Sequence, residues 1–322
     1  MFGYLRFILA VFVLCSHSKI TFFYVHQGWV AVFAFYILAG IVSTKLFYQV
    51  HQNNIKIYLK DRFLRIYPMA IFWLVIAFVS IAALTPNELS LSPLKFIYAI
   101  TLIPLSYFSY INVQTLPNEI PGLDFVLPPF FSVGLEVQIY MLLAILFTVN
   151  KFWLIRTVAI ISFIQYAIVI FFPIFKETQD AVNFSYTMFF SVFWVFYIGI
   201  LIYYKKNKEV LLWWVILTSL LALQFATKHG LGSSPHTLIG VVIFIPIIAA
   251  MANVDVKLKF NNFFGSMSYI VYCNHYLVVF LSEKLYKTIL PWYLTLAISM
   301  IIGLVSYWLI ELPLNKKRGL KK

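Results

Sequence analysis

The sequence predicts an all-α polytopic membrane protein: about ten transmembrane helices, both termini cytoplasmic, and an outer-side lid or re-entrant segment at about 85–128. Three observations predict it. Of 322 residues, 62% are hydrophobic and only 11% are charged, where soluble domains average roughly 45–50% and 25%. Apolar runs of about the 20 residues that one span needs recur along the whole chain. Small basic clusters fall on alternate connections between those runs, which orients the chain. About 200 apolar positions support some ten spans and leave no room for a large soluble domain, so residues 1–322 read as one transmembrane domain. The net charge of +13 forms no basic stripe, and nucleic acid is excluded as a partner in favour of membrane lipids.

The opening MFGYLRFILAVFVLC is read as a retained first span: its only basic residue is Arg6, no small-x-small cleavage site follows, and Leu14 stands before Cys15 where lipoprotein cleavage wants a small residue. Further runs fall at about 29–49, 67–84, 129–149, 157–174, 185–204, 210–226, 237–252, 267–284 and 291–311, with the first at 4–22. An eleventh candidate, 94–111, is interrupted by Pro104. With ten spans and a cytoplasmic amino terminus, Lys19, Lys95, Lys176, Lys228, Lys284 and Lys287 lie outside and the other 18 of the 24 basic residues inside. Counting 94–111 as a span would turn the KKNK cluster outward, so this segment is expected not to cross. The long connection 85–128 holds seven of the 13 prolines and the acids Glu88, Glu119 and Asp124. Its length and aromatic content predict a structured lid over an outward-facing cavity. Cys15 and Cys273 lie in apolar runs, and no metal-ligand spacing occurs, so no metal is expected.

Ionisable groups inside the hydrocarbon are costly, and each is a functional candidate. Arg6 and His17 are eleven steps apart on the first span, so both project from one helix face about 16 Å apart along the axis. Snorkelling by Arg6 and hydrogen bonding within the helix packing by His17 are the plain alternative. Glu136, in FFSVGLEVQIYMLLAIL, sits about two turns below the outer surface, able to orient a histidine, bind a sugar hydroxyl or form a structural ion pair. His275, in SYIVYCNHYLVVF beside Tyr269, Tyr272 and Asn274, reads by itself as a packing histidine. The cytoplasmic loop KIYLKDRFLRIYP carries Arg62 and Arg65 three apart, with Lys56 and Lys60 nearby and Tyr67-Pro68 opening the next span. Guanidinium pairs suit phosphate oxygens, and any such loop also attracts anionic lipid.

Taken in order, YLRFILAVFVLCSH, GWVAVFAFYILAGIVSTKLF, KDRFLRIYP, FFSVGLEVQIYMLL, FFGSMSYIVYCNHYLVVF and YWLIELPLNKK resemble the acyltransferase-3 family of bacterial membrane O-acyltransferases. The resemblance implies a ten-helix enzyme of the bacterial cytoplasmic (inner) membrane. Such an enzyme moves an acyl group, usually acetyl from cytoplasmic acetyl-CoA, to a hydroxyl of an extracytoplasmic cell-surface glycan or lipid-linked saccharide. It places Arg6, His17 and Glu136 in the catalytic set, and Arg62 and Arg65, with Lys60 beside them, at the donor's phosphates. Tyr269, Asn274 and His275 become supporting groups. Glu311 and Pro313 match a closing I-E-x-P anchor. The chain departs from the family pattern at Phe131 for Trp, Gly134 for the second Ser, Ala31 for a Gly, and Ala39 in the usual Ser-Gly pair. No hydrolase-like domain is expected after the last span.

A proton-coupled transporter or glycan exporter is the rival reading, since intramembrane His and Glu with a proline-rich lid also suit a carrier. Against it, no pair of broken helices marks an inverted repeat. A scaffold without activity is the third reading.

Overall fold

A computed structural model of the protein describes residues 1–20, 26–84, 86, 89–90, 92–113, 115, 127–171, 184–226, 235–254 and 256–318. Among these residues every regular element is a helix. In chain order they are α1 (Phe2–His17), α2 (Gln27–Lys45), α3 (Ile55–Leu84), α4 (Pro93–Thr101), α5 (Phe130–Val149), α6 (Phe152–Phe171), α7 (Phe189–Tyr203), α8 (Asn207–Ala226), α9 (His236–Ala252), α10 (Asn261–Tyr286), α11 (Trp292–Ser306) and α12 (Leu312–Lys317). Five-residue π-turns at Leu46–Val50 and Tyr307–Glu311 extend α2 and join α11 to α12.

Seven helices are long and apolar enough to cross a membrane: Gln27–Val50, Ile55–Leu84, Phe130–Val149, Phe152–Ile170, Asn207–Ala226, Asn261–Tyr286 and Trp292–Lys317. Three shorter apolar helices, Phe2–His17, Phe189–Tyr203 and His236–Ala252, occupy the remaining runs of the sequence. Several of these helices turn large apolar side chains outward, including Phe225, Ile301 and Trp308. Water would penalise such a surface and hydrocarbon does not.

Local chemistry sets the ends. Helix α1 stops at His17, short of the predicted 22, because Lys19 turns left-handed (φ 57°). The Ile20 amide then donates back to Cys15 O at 3.1 Å, an i to i−5 bond that closes the helix. Gln52 and Asn53 are also left-handed, and Asn54 Oδ1 caps the next helix by accepting from the Ile57 amide at 3.1 Å. The basic segment after Asn54 was expected to be a loop, with a span opening at Tyr67-Pro68. Instead α3 runs unbroken from Ile55, with Pro68 inside it. A proline deletes one backbone bond, but a 30-residue helix keeps its neighbours paired, and in apolar surroundings an unpaired backbone costs more than the kink.

The segment at 94–111 is no continuous span. Ser92 caps α4 by accepting from the Lys95 amide at 3.3 Å, and the helix breaks at Leu102 (φ 63°) into a 3₁₀ turn over Ile103–Tyr107. Nine residues rise about 14 Å, less than half of a hydrocarbon core. A bond from Ser90 N–H to Thr115 O of 2.8 Å closes the segment on itself. The acids Glu88, Glu119 and Asp124 and the prolines 117 and 121 of the expected lid lie outside the described residues.

The chain divides into two compact units, each built from separate stretches. The first, Met1–Phe2, Phe23–Leu59 and Gln138–Leu258, is organised around α7, in which every residue from Ser191 to Ile202 is buried. Helices α2, α6, α8 and α9 surround α7. Gly40 and Gly199 let α2 and α7 touch backbone to backbone: a Cβ on Gly40 would lie 2.1 Å from Phe196 O, and one on Gly199 2.1 Å from Ile37 O. The second unit, Gly3–Phe22, Lys60–Val137 and Lys259–Lys322, contains Arg6, His17, Lys60, Arg62, Arg65, Glu136, Tyr269, Asn274, His275 and Glu311.

Candidate active site

Within the second unit α1 and α10 lie parallel and in register. Gly3 N–H donates to Asn261 Oδ1, 258 positions away, at 2.9 Å, and His17 meets His275 at the same offset. Rings of Tyr4 and Phe7 pack on Phe264 between those points. Small residues permit the approach: a Cβ on Gly3 would sit 1.8 Å from Asn261 O. Along α10 the stretch Gly265–Tyr269 that meets Arg65 and Glu311 lies six to ten residues from His275, about 9–15 Å along the axis.

The charged end is a network of buried ion pairs. Arg65 pairs with Glu311, donates to Gly265 O at 3.2 Å, and lies over the Tyr269 ring at 5.0 Å. Glu311 also accepts from Ser266 Oγ at 2.9 Å and from Asn315 at 3.3 Å. Arg62 pairs with Asp61, and Asp61 Oδ1 accepts from Arg318 Nε at 2.8 Å. Burial lowers the pKa of the Arg318 guanidinium, the hydrogen bond it donates to Asp61 opposes that, and the neighbouring Arg65 and Arg62 lower it again. Three guanidinium groups therefore share one small region. Lys60, expected beside them, is exposed. Asp61 and Arg318 were not read from the sequence as site residues. The signal was there for Asp61, the single acid in the basic run KIYLKDRFLR.

The polar interior gathers the histidines. The His17 and His275 rings are 5.4 Å apart at 43°, and Tyr276 meets His17 edge-on at 5.3 Å. His275, a packing histidine when read by itself and a supporting group by the resemblance, is the neighbour of His17. Its Nδ1 donates to Val271 O at 2.9 Å, while its Nε2 is buried without a hydrogen-bond partner among the described residues. Tyr272 packs on His275 at 6.1 Å, and its hydroxyl is held by Pro129 O at 3.1 Å and by Ser132 Oγ at 2.5 Å. Ser132 and Tyr272 thereby tie the start of α5, which carries Glu136, to α10.

The remaining candidates brace the helices. Tyr269 Oη donates to Ile66 O at 2.9 Å, joining α10 to α3, and Asn274 Nδ2 donates to Ser299 O at 2.9 Å, joining α10 to α11. Gly134 has a steric reason: a Cβ there would lie 2.2 Å from the Leu102 carbonyl, at the α4 break, so a serine at this position does not fit. Among the described residues no group of three or more His, Cys, Asp or Glu is placed to hold a metal ion.

The second unit of this helical membrane chain thus carries a guanidinium cluster beside the start of α10 and a histidine pair further along that helix. The chain belongs to the acyltransferase-3 family, whose acyltransferase domain matches residues 2–311. It is 30% identical over 203 residues to an uncharacterized protein of Aquifex aeolicus (strain VF5), a stretch that covers 59% of this chain and 87% of that protein. No solved structure matches it. The protein is therefore a multi-pass membrane acyltransferase by family.

Proposed function

We propose that this acyltransferase is an O-acetyltransferase of the bacterial inner membrane that moves acetyl from cytoplasmic acetyl-CoA to a hydroxyl of a cell-surface glycan or lipid-linked saccharide. The match to the family across residues 2–311 carries this reading, and the meeting of His17 with His275 inside the second unit supports it. Family membership favours an enzyme over the carrier reading.

In this scheme Arg62 and Arg65, with Lys60 at the rim, bind the CoA phosphates. A guanidinium offers five N–H donors in a fork, so phosphate oxygens join or displace the carboxylates of Asp61 and Glu311. His17 takes the proton of the acceptor hydroxyl as its oxygen bonds to the thioester carbonyl carbon. The C–S bond breaks, and the CoA thiolate leaves with the proton that His17 returns. Arg6 begins the same helix face, and Glu136 steadies the positive charge that develops on His17.

Mass spectrometry of surface glycans from a deletion strain tests this. Complementation with the wild-type chain is expected to restore a 42 Da acetyl increment, about the mass of one acetyl replacing hydrogen, and His17→Ala to lower it at least a hundredfold. Acetylation retained by folded, inserted His17→Ala would overturn the role of His17. Ten spans with both termini cytoplasmic are proposed from the charge bias. Single cysteines placed at 112, 113 and 127 in a cysteine-free chain are expected to react with impermeant maleimide from outside, and labelling only after permeabilisation would reverse the assignment.

A further inference from the structure

From the tautomer that Val271 imposes on His275, we infer that His275 is the positioning residue of His17: its Nε2 accepts the N–H of His17, so the opposite His17 nitrogen carries the lone pair that faces the reacting hydroxyl. The inference deepens the acyl-transfer reading and rests on it for the chemistry, though not for the pairing.

Val271 O can only accept, so the 2.9 Å contact requires the proton of neutral His275 on Nδ1. Nε2 is then an acceptor, buried and unpartnered among the described residues. A buried acceptor calls for a donor. Among the described residues two rings meet His275: the hydroxyl of Tyr272 is engaged by Ser132 and Pro129, and the other ring is His17, 5.4 Å away between centroids. A ring nitrogen stands about 1.2 Å from its centroid, so nitrogens turned toward each other across this gap are separated by about 3 Å, a hydrogen-bond length. A turn of the His17 ring closes the contact. The edge of Tyr276 at 5.3 Å bounds that turn on another side.

The consequence is a relay from Val271 O to Nδ1–H of His275, from its Nε2 to N–H of His17, and from the second His17 nitrogen to the substrate. A carboxylate does this job in the serine-protease triad. In the transfer step the hydroxyl proton passes to His17 as the C–O bond forms, and His17 either shares its other proton with His275 Nε2 or passes it there. When the C–S bond breaks, the thiolate takes one proton and both rings return to neutral.

The test uses the full-length chain in lipid, with ¹⁵N-labelled histidine and solid-state NMR. Only six histidines are present, so each assigns by single substitution. In the wild type, neutral His17 is expected as a single tautomer. His275→Phe, which keeps the ring volume without the acceptor, is expected to give a tautomer mixture and to lower kcat about a hundredfold with the KM for acetyl-CoA unchanged. His275→Gln keeps an acceptor oxygen and is expected to recover at least about a tenth of the wild-type rate. An unchanged His17 tautomer in His275→Phe, or wild-type kcat in that variant, overturns the inference. Should His275→Phe fail to fold, His275→Gln decides: a mixed His17 tautomer there also overturns it. A locked tautomer in a chain that transfers no acetyl would instead overturn the acyl-transfer reading and leave the pairing intact.

Discussion

Glu311→Ala is expected to cost about 3–5 kcal/mol of stability, the usual penalty for stranding one partner of a buried ion pair. Glu311 is 3% exposed, and its Oε1 takes Arg65, Ser266 and Asn315 together. Removing it leaves the guanidinium, among the described residues, with the Gly265 carbonyl and the Tyr269 face. The double variant Glu311→Met with Arg65→Met removes both charges and is expected to be far milder in stability, while losing donor binding if Arg65 holds phosphate. Thermal unfolding in detergent measures the first effect and acetyl-CoA titration the second. Equal destabilisation of the single and double variants would show that the pair is not the source of the loss.

Gly40→Leu is the second large effect. A Cβ at this position already meets Phe196 O at 2.1 Å and the Gly199 Cα at 3.2 Å, so the longer side chain has no rotamer that avoids α7. Overpacking of a close-packed core costs about 1–3 kcal/mol for side chains that can shift. Here the obstacle is backbone, and the penalty is expected at or above the top of that range. Gly199→Leu is expected to act alike, because its own Cβ meets Ile37 O at 2.1 Å. The readout is the fraction of monodisperse protein recovered from membranes together with its melting temperature. A Gly40→Leu protein that melts with the wild type would refute a backbone-contact crossing.

These two positions show what sequence reading reaches and where it stops. Gly40 stood in the sequence as half of a Ser-Gly pair whose Ser is Ala39, and Glu311 as part of a closing I-E-x-P. Both were legible as motif members. Their reasons were not, because each depends on an atom far away in sequence: the carbonyl of Phe196 for one, the guanidinium of Arg65 for the other. Pro68 misled for the opposite reason. Proline is a local signal for a helix start, and the local signal lost to an apolar environment that keeps backbone bonds within one continuous helix.

The histidines make the same point with the signs reversed. His17 was selected by its spacing from Arg6, and α1 does carry both. His275 looked like packing, since nothing in SYIVYCNHYLVVF tells which ring nitrogen is protonated or what lies opposite. The Val271 carbonyl within α10 supplies the first answer, and the register of α1 on α10 the second.

What the sequence determined by itself is therefore what depends on solvent and period: a chain too apolar for water, helices of roughly span length in order, a family legible from six blocks, and a short list of ionisable groups too costly to be idle. Tertiary structure alone decided which of those groups meet. It joined Arg65 to Glu311 and set His17 against His275, and it added the pair of Asp61 and Arg318, because ion pairs and ring contacts act over a few Å, a distance that only packing can set between residues some 250 positions apart.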